Sequence, residues 1–467
     1  MTISTSKTKR VVFIHLDLGI GGAEQLILQL ASASQDLGYD VDLVTSRCDQ
    51  DHCFSSVKLP SGRLSRQVYV YGRFIPPNLF GIATAFMSTV RMLYLTWKVT
   101  RNHKSADVVV VDVLPTSLPL LLSLLPTAGI LFYCHFPDKL LLRNHGGIAK
   151  KWYRKLLDAM EESTMGLSDT LVVNSKFTLG EVQKHFSSIQ QKPLHVLYPA
   201  LDTTNMVQSN QKPKTMDSPI VSLNRFERKK NIGLLIRAYA YIQNLHPNKI
   251  LPRLVIAGGY DKQNVENVEY RGELQQLKED LGVEVEFRMD ISDEERATLF
   301  QTALCVVYTP DKEHFGIVPL EAMYAGTPVL AVNSGGPTET VLDGKTGLLR
   351  DPTPESFGEA LLSLMNDPNT ATTMGRNGRA HVEQTFGTER FEIEWKQLVE
   401  QTKERQIKSR EKPRLVLWAK TIIYLLEATC ALLACILLTY CLRQIGMIGE
   451  SQSIIGGIRT RLVGNEL

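Results

Sequence analysis

Two carboxylates, Glu313 and Glu321, stand eight residues apart around an apolar turn in the segment Glu313-His314-Phe315-Gly316-Ile317-Val318-Pro319-Leu320-Glu321. Upstream, Asn224-Arg225-Phe226-Glu227-Arg228-Lys229-Lys230-Asn231 places four cations within six residues. A charge run is ordinarily just a solvated face. This one follows the apolar run Ile220–Leu223, at the strand end where ligands bind in open parallel sheets. There Arg225 and Lys230 would clamp a diphosphate and neutralise charge building on a departing nucleoside diphosphate, a preorganised electrostatic contribution to transfer. The run 303–308 before Glu313 reads as a buried parallel strand. The stretch 316–325 after it reads as a helix, with Pro319 tolerated in the first turn. Free backbone N–H groups at such a helix start form an anion site. Glu313 would sit in the loop beside that site and Glu321 about one turn inside the helix. The arrangement suits a ligand with phosphate in its middle and hydroxyls at both ends; a nucleotide sugar is such a ligand.

The elements that must hold these residues alternate, apolar runs with amphipathic stretches, as in a parallel sheet covered on both faces. Strands are expected at 10–16, 41–45, 107–113, 130–135, 170–174 and 196–198. A polar, Pro-containing stretch, 202–219, reads as a linker, and the pattern restarts at 220–223, 253–257, 283–288, 303–308 and 329–333. The fold class is therefore α/β, with a first doubly wound domain over 1–201 and a second over 220–388. The ligand is expected at the strand C-termini between them. A charged helix begins the 389–414 stretch and is expected to cross back to the first domain. His135 ends one apolar strand and precedes Phe136-Pro137-Asp138, which marks it as a candidate catalytic side chain.

Other motifs compete and fall short. Gly19-Ile20-Gly21-Gly22-Ala23-Glu24 opens a helix after the first strand, but Gln25 or Leu26 would have to be the third glycine of a dinucleotide fingerprint. The second strand also ends without a ribose-binding acid. What remains is a tight turn whose backbone can approach a ligand closely. Asp343-Gly344-Lys345-Thr346 resembles a P-loop tail, yet Glu339 occupies the position of the leading glycine. A turn into a strand at Gly347–Arg350 is the better account. Asp40-Val41-Asp42 matches the Asp-x-Asp of metal-dependent sugar transferases, but it opens a strand and is expected to be solvent-exposed. No metal is expected. Activity should survive chelation; a complete loss with EDTA, restored by manganese, would point to a different transferase fold.

At 467 residues the chain can bury two or three cores. A net charge of +3, with no basic stripe interleaved with aromatics, excludes a nucleic-acid partner. Seven cysteines form no C-x-x-C pair and no metal spacing, which fits a reducing compartment. The polar N-terminus is not a secretory signal. The stretch 415–442 is nearly continuous apolar, broken by Lys420 and Glu427, and exceeds the roughly 20 residues that cross a bilayer. Its leucines and isoleucines from Thr421 to Leu442 contribute about −3 to −6 kcal/mol of insertion energy, against about +3 for an acid near mid-membrane and less for Glu427, which lies off centre. A span is expected, with a re-entrant segment as the alternative and 443–467 as a tail. The excess of Lys403, Arg405, Lys408, Arg410, Lys412 and Arg414 before it marks the cytoplasmic side. Residues 139–143, followed by Lys150, Lys151, Arg154 and Lys155, mix apolar and basic side chains. They suit either an amphipathic surface helix or a lip on anionic headgroups. The run 118–125, between prolines, reads as a short buried helix.

Taken together, Gly21-Gly22-Ala23-Glu24, the Arg225/Lys230 pair, the Glu313/Glu321 pair and Ser334-Gly335-Gly336-Pro337 resemble glycosyltransferase family 4, of the two-domain GT-B fold. The resemblance covers roughly 11–391. Within that family, Tyr133-Cys134-His135-Phe136-Pro137-Asp138, the 224–231 segment and the 313–324 segment are similar to the endoplasmic-reticulum mannosyltransferases that add α-1,3 and α-1,6 mannose to the dolichol-linked N-glycan precursor. The resemblance implies a retaining transfer from GDP-mannose, with no cofactor, to a dolichyl-diphosphate-linked oligosaccharide. It places Arg225 and Lys230 on the diphosphate, Glu313 on the donor mannose, Glu321 on the ribose hydroxyls and His135 near the reacting carbon. His314, Phe315, Gly316 and Ile317, with Gly21 and Gly22, would line the donor; Phe136 and Asp138 would face the acceptor. It further implies an endoplasmic-reticulum membrane protein with its catalytic domains in the cytosol, in contact with the bilayer and with other enzymes of the lipid-linked oligosaccharide pathway. The rivals are a related lipid-linked transferase with another donor and a catalytically dead membrane scaffold.

Overall fold

The computed structural model describes residues 9–78, 84–141, 148–190, 192–201 and 213–409. The first domain carries strands β1 (Arg10–Ile14), β2 (Asp17–Leu18), β3 (Asp40–Thr45), β4 (Arg47–Cys48), β5 (Val68–Val70), β6 (Val108–Asp112), β7 (Gly129–Cys134), β8 (Thr170–Val173) and β9 (Leu194–Val196). Seven of them form one sheet in the order β5-β3-β1-β6-β7-β8-β9, and β2 and β4 pair separately. The second domain carries β10 (Ile220–Leu223), β11 (Leu254–Gly258), β12 (Val285–Met289), β13 (Cys305–Tyr308), β14 (Val329–Val332) and β15 (Gly347–Arg350), ordered β12-β11-β10-β13-β14-β15. All pairings are parallel. Counting strands within each sheet, both follow the doubly wound Rossmann order, which reverses between β1 and β6 and again between β10 and β13.

Alternation along each strand explains the layers. Val11 and Phe13 join one buried cluster and Val12 and Ile14 another, so β1 is dry on both faces. The second domain repeats this, with Ile220 on one face of β10 and Val221 on the other. Burial on both faces is why the strands appear in the sequence as continuous β-branched runs. The same fact corrects the expectation for Asp42. Its strand lies inside a covered sheet and has no solvent face, so Asp42 is buried, with His103 Nδ1 at 2.8 Å and Arg10 Nε at 3.9 Å. Asp40, at the strand's first residue, is exposed.

The helix Thr388–Ser409 returns to the first domain. Trp395 is fully buried there, its indole Nε1 donating to Ser34 Oγ at 2.8 Å and its ring 6.2 Å from Phe13. Thr402 Oγ1 donates within reach of Thr170 Oγ1 at 2.8 Å, and Lys403 Nζ donates to the Thr127 carbonyl at 2.9 Å. Trp395→Ala should destabilise the protein by about 3–5 kcal/mol, because a cavity remains and Ser34 Oγ, which still donates to the Leu30 carbonyl, loses its buried donor. A denaturant midpoint equal to that of the unaltered chain would contradict this packing. The end of the linker is anchored as well: Lys214 is buried, and its Nζ donates to the Gln301 carbonyl and Thr327 Oγ1 at 2.8 and 2.7 Å.

Among the described residues no helix is long and apolar enough to cross a membrane. The apolar stretch 415–442, the tail, and Leu142 and Arg143 of the basic-apolar stretch lie outside the described residues. Leu118–Leu124 is a short helix with Leu118 and Leu121 fully buried.

Candidate active site between the two sheets

In the second domain the loops after β10 and β13 meet where the strand order reverses. Phe226 is fully buried against Tyr260 and Phe287 and anchors the first loop, so Arg225 and Lys230 flank a fixed point. Thr309 Oγ1 donates to the Lys230 carbonyl at 2.6 Å and ties the two loops together. Lys230 Nζ reaches Glu313 Oε2 at 2.6 Å, with only 12% of the lysine side chain exposed. Burial alone would push the Glu313 pKa up, but the Lys230 ammonium outweighs it and holds the carboxyl below its ordinary range. The Arg225 guanidinium is half exposed, its Nε 3.3 Å from Glu227 Oε1.

Glu313 leads into the helix Ile317–Tyr324. Gly316 caps it at φ +82°, a backbone conformation that side chains with a Cβ rarely adopt. Ile317 follows, half-buried, as the first helical residue, and Pro319 falls in the first turn. Glu321 is buried one turn in and bonded to Arg296 from the helix Asp293–Thr302. Burial raises its pKa, opposed by the Arg296 guanidinium. Behind Glu313, the Gly336 N–H donates to the Glu313 carbonyl at 2.7 Å. A Cβ on Gly336 would fall 2.1 Å from the Phe315 carbonyl oxygen, so Ser334-Gly335-Gly336-Pro337 is a backing that only glycine lets the Glu313–Phe315 backbone approach.

In the first domain β1, β6 and β7 are neighbours, and their C-terminal ends bring His15, Asp112 and His135 into one row. Asp112 is fully buried, with His15 Nδ1 at 2.9 and 2.8 Å from its two oxygens and His135 Nε2 at 2.9 Å. Glu24 Oε1 lies 3.9 Å from His15 Nε2. Gly21 is the N-cap and Gly22 the first residue of the helix Gly22–Asp36, which carries Glu24 in its first turn.

The two domains touch across the cleft. Phe136 stacks on His314 with ring centroids 3.6 Å apart and planes within 8°. Ser175 Oγ donates to the His314 carbonyl at 2.6 Å. Glu339 accepts from the backbone N–H of Lys176 and Phe177, at 2.8 and 2.7 Å, and from the Tyr198 hydroxyl at 2.9 Å. Phe315 is buried and stacks on Tyr198. Burial lowers the His314 pKa to about 4, so the imidazole is neutral at neutral pH. Asp138 begins a short helix whose first N–H groups, those of Asp138 and Lys139, donate to Glu161. Burial pushes the Asp138 carboxyl up, opposed by Arg154. Among the described residues no three His, Cys, Asp or Glu side chains converge to hold a metal ion.

The model of glycosyltransferase family 4 matches residues 20–205, and that of glycosyl transferases group 1 matches residues 204–381. The α-1,3/1,6-mannosyltransferase ALG2 of Rhizomucor pusillus is 38% identical, covering 94% of this chain and 100% of that protein. The human protein of the same name is 39% identical, with 82% and 93% covered. The chain belongs to the α-1,3/1,6-mannosyltransferase family. It is a glycosyltransferase. Its architecture is also that of sucrose-phosphate synthase from Thermosynechococcus elongatus, with a TM-score of 0.64 at 22% identity over 84% of this chain and 98% of the other. The catalytic domain of starch synthase IV from Arabidopsis thaliana gives 0.59 at 14% identity, over 85% and 100%. At those identities the likeness establishes the fold, two doubly wound domains facing a cleft in the GT-B manner.

Within this mannosyltransferase family member, sequence reasoning missed four side chains. Arg296 gives no signal, since it is one cation on a charged helix. Glu339 entered only as a missing P-loop glycine. Asp112 and His15 carry a weak signal: each is a polar residue directly ending or following a fully apolar strand, the position that drew attention to His135.

Proposed function

We propose that this transferase moves mannose from GDP-mannose onto a dolichyl-diphosphate-linked oligosaccharide, forming the α-1,3 and α-1,6 branches of the N-glycan precursor. The observation that carries the reading is the Lys230–Glu313 pair at the strand reversal of the second sheet, beside His314, on which Phe136 of the first domain stacks. The names of the relatives support mannose and both linkages. Lys230 and Arg225 hold the donor diphosphate and take up the negative charge that grows as the sugar bond breaks. Glu313, kept ionised by Lys230, accepts hydrogen bonds from the mannose hydroxyls. Glu321 does the same for the ribose. His135 contacts the sugar from the opposite wall, and Phe136 and Asp138 lie on the acceptor side. Among the described residues no further carboxylate is placed as a nucleophile, so the acceptor hydroxyl attacks from the face the diphosphate leaves, and the leaving diphosphate takes the proton. Retention follows.

The test is incubation of the purified full chain with a panel of nucleotide sugars and a lipid-linked core trisaccharide, followed by linkage analysis. GDP-mannose alone should be consumed, giving α-1,3 and α-1,6 products. Turnover with a uridine donor in its place would replace this assignment.

The proposal extends to location: 415–442 anchors the enzyme in the endoplasmic-reticulum membrane, with the catalytic domains in the cytosol. Four of the six basic residues before the segment support that orientation most directly. The other two, Lys403 and Arg405, contact the first domain, through Asp107 at 3.4 Å and His195 at 3.1 Å. The thiols of Cys48, Cys53, Cys134 and Cys305 are free, as a reducing compartment requires. Protease added to sealed microsomes should digest the catalytic domains; protection until detergent is added would reverse the orientation.

A further inference from the structure

Asp112 and His15 have no role of their own in the proposed chemistry, yet Asp112 touches His135 and both are deeply buried. Asp112 is 0% and His15 2% exposed, while 16% of the His135 side chain remains exposed. An ionised carboxylate only accepts hydrogen bonds. Both imidazole nitrogens that face Asp112 must therefore carry protons: His15 at Nδ1 and His135 at Nε2. The remaining nitrogen of His15 faces Glu24 at 3.9 Å and is protonated too. Burial disfavours charge on His15, but Asp112 and Glu24 outweigh it and raise its pKa to about 10. The same contacts with His15 and His135 hold Asp112 below its ordinary range despite its own burial. His15 and Asp112 thus form an internally balanced ion pair.

We infer that His15 and Asp112 are positioning residues that fix the His135 ring with its Nε2–H on Asp112, so that Nδ1 is left to accept a hydrogen bond from a hydroxyl of the donor hexose. The geometry supports each step. Asp112 sits between the two rings, and the adjacent strands β1, β6 and β7 fix all three backbones. The Tyr133 ring, 5.1 Å from that of His135, packs beside it. Among the described residues Nδ1 of His135 has no hydrogen-bond partner. His15 Nδ1 lies within hydrogen-bond distance of both Asp112 oxygens, so the carboxylate keeps one orientation towards His135.

The inference rests on the reading that His135 faces the donor sugar, and the experiment separates the two. The full chain is labelled with 15N at its histidine ring nitrogens, and the His135 signals are assigned by their absence in His135→Ala. They should report the proton on Nε2 in preference to Nδ1. In Asp112→Ala, which removes the acceptor, that preference should be lost. A proton on Nδ1 in the unaltered chain, or a His135 spectrum unchanged in Asp112→Ala, overturns the inference whatever the activity. Kinetically, Asp112→Asn should lower kcat by roughly ten- to a hundred-fold. The double variant Asp112→Asn/His135→Ala should be no worse than His135→Ala alone, because a residue acting through another adds nothing once that other is gone. His135→Asn, whose amide reaches the Nδ1 position, should retain at least about tenfold more activity than His135→Gln, whose amide reaches the Nε2 position. Fully additive losses in variants with unchanged melting curves would assign Asp112 a structural role only. If the unaltered chain turns over no GDP-mannose, the donor assignment fails, while the nitrogen spectra still decide the tautomer.

Discussion

Lys230→Ala is expected to lower kcat with GDP-mannose by roughly 10³-fold while leaving the fold intact. Two effects combine. The variant removes the cation that would meet the leaving diphosphate, and one preorganised electrostatic contact of this kind contributes about 10²–10³ in rate. It also strips Glu313 of the ammonium 2.6 Å away that holds its carboxyl below the ordinary range. The largest opposition to burial is then gone, the Glu313 pKa rises, and the carboxylate is replaced in part by a neutral acid that accepts hydrogen bonds from the sugar less well. The sign is checkable. In the unaltered enzyme Glu313 stays ionised from neutral pH down through the carboxylate range, so its contribution fades only in acid. In Lys230→Ala that loss moves to higher pH, and residual activity should climb across a range where the unaltered enzyme is already flat. Lys230→Arg restores charge but not the compact ammonium wedged between two loops, and should recover only part of the rate. Wild-type turnover in Lys230→Ala, with circular dichroism unchanged, would remove this residue from the site.

Glu321→Ala should cost roughly 10²-fold in kcat/KM, appearing chiefly as a higher KM for the donor. On the proposed assignment Glu321 would hold the ribose in ground state and transition state alike, and loss of uniform binding raises KM with kcat little changed. Part of the loss is indirect. Glu321 is buried and bonded to Arg296, whose side chain is 34% exposed, so the freed guanidinium can hydrate and the fold should survive. Arg296→Ala tests the other half. With the opposing guanidinium gone, burial drives the Glu321 carboxyl further up. Donor affinity should then fall less than in Glu321→Ala and recover as pH rises. A variant pair in which kcat collapses and KM stays fixed would move Glu321 from nucleotide binding to the chemistry.

Much of the architecture was legible before any coordinates. The strand runs expected at 220–223 and 329–333 match β10 and β14 to within a residue. Those at 10–16 and 130–135 match β1 and β7 within two. They are legible because a sheet covered on both faces needs unbroken β-branched segments, which local composition records. The start of the helix Ile317–Tyr324 is equally local, written in Gly316 and Pro319. The short edge strand β5 left no such trace, since Val68–Val70 is only partly buried. Asp42 misled for the complementary reason: alternation says which residues share a face, not whether something covers it.

By itself, then, the sequence determined which segments become strands and helices, that two doubly wound sheets form, and where the charged loops lie along the chain. The pairing of those charges was decided only in three dimensions. His15 and Asp112 are separated by 97 residues, Lys230 and Glu313 by 83, and Arg296 and Glu321 by 25. The first two pairs meet because strand order reverses at β1/β6 and β10/β13, which sets the ends of sequence-distant strands side by side; the third meets where the helices Asp293–Thr302 and Ile317–Tyr324 pack together. Strand order is fixed by crossover handedness and by packing of the whole layer. Neither leaves a periodic mark at the residues it brings together.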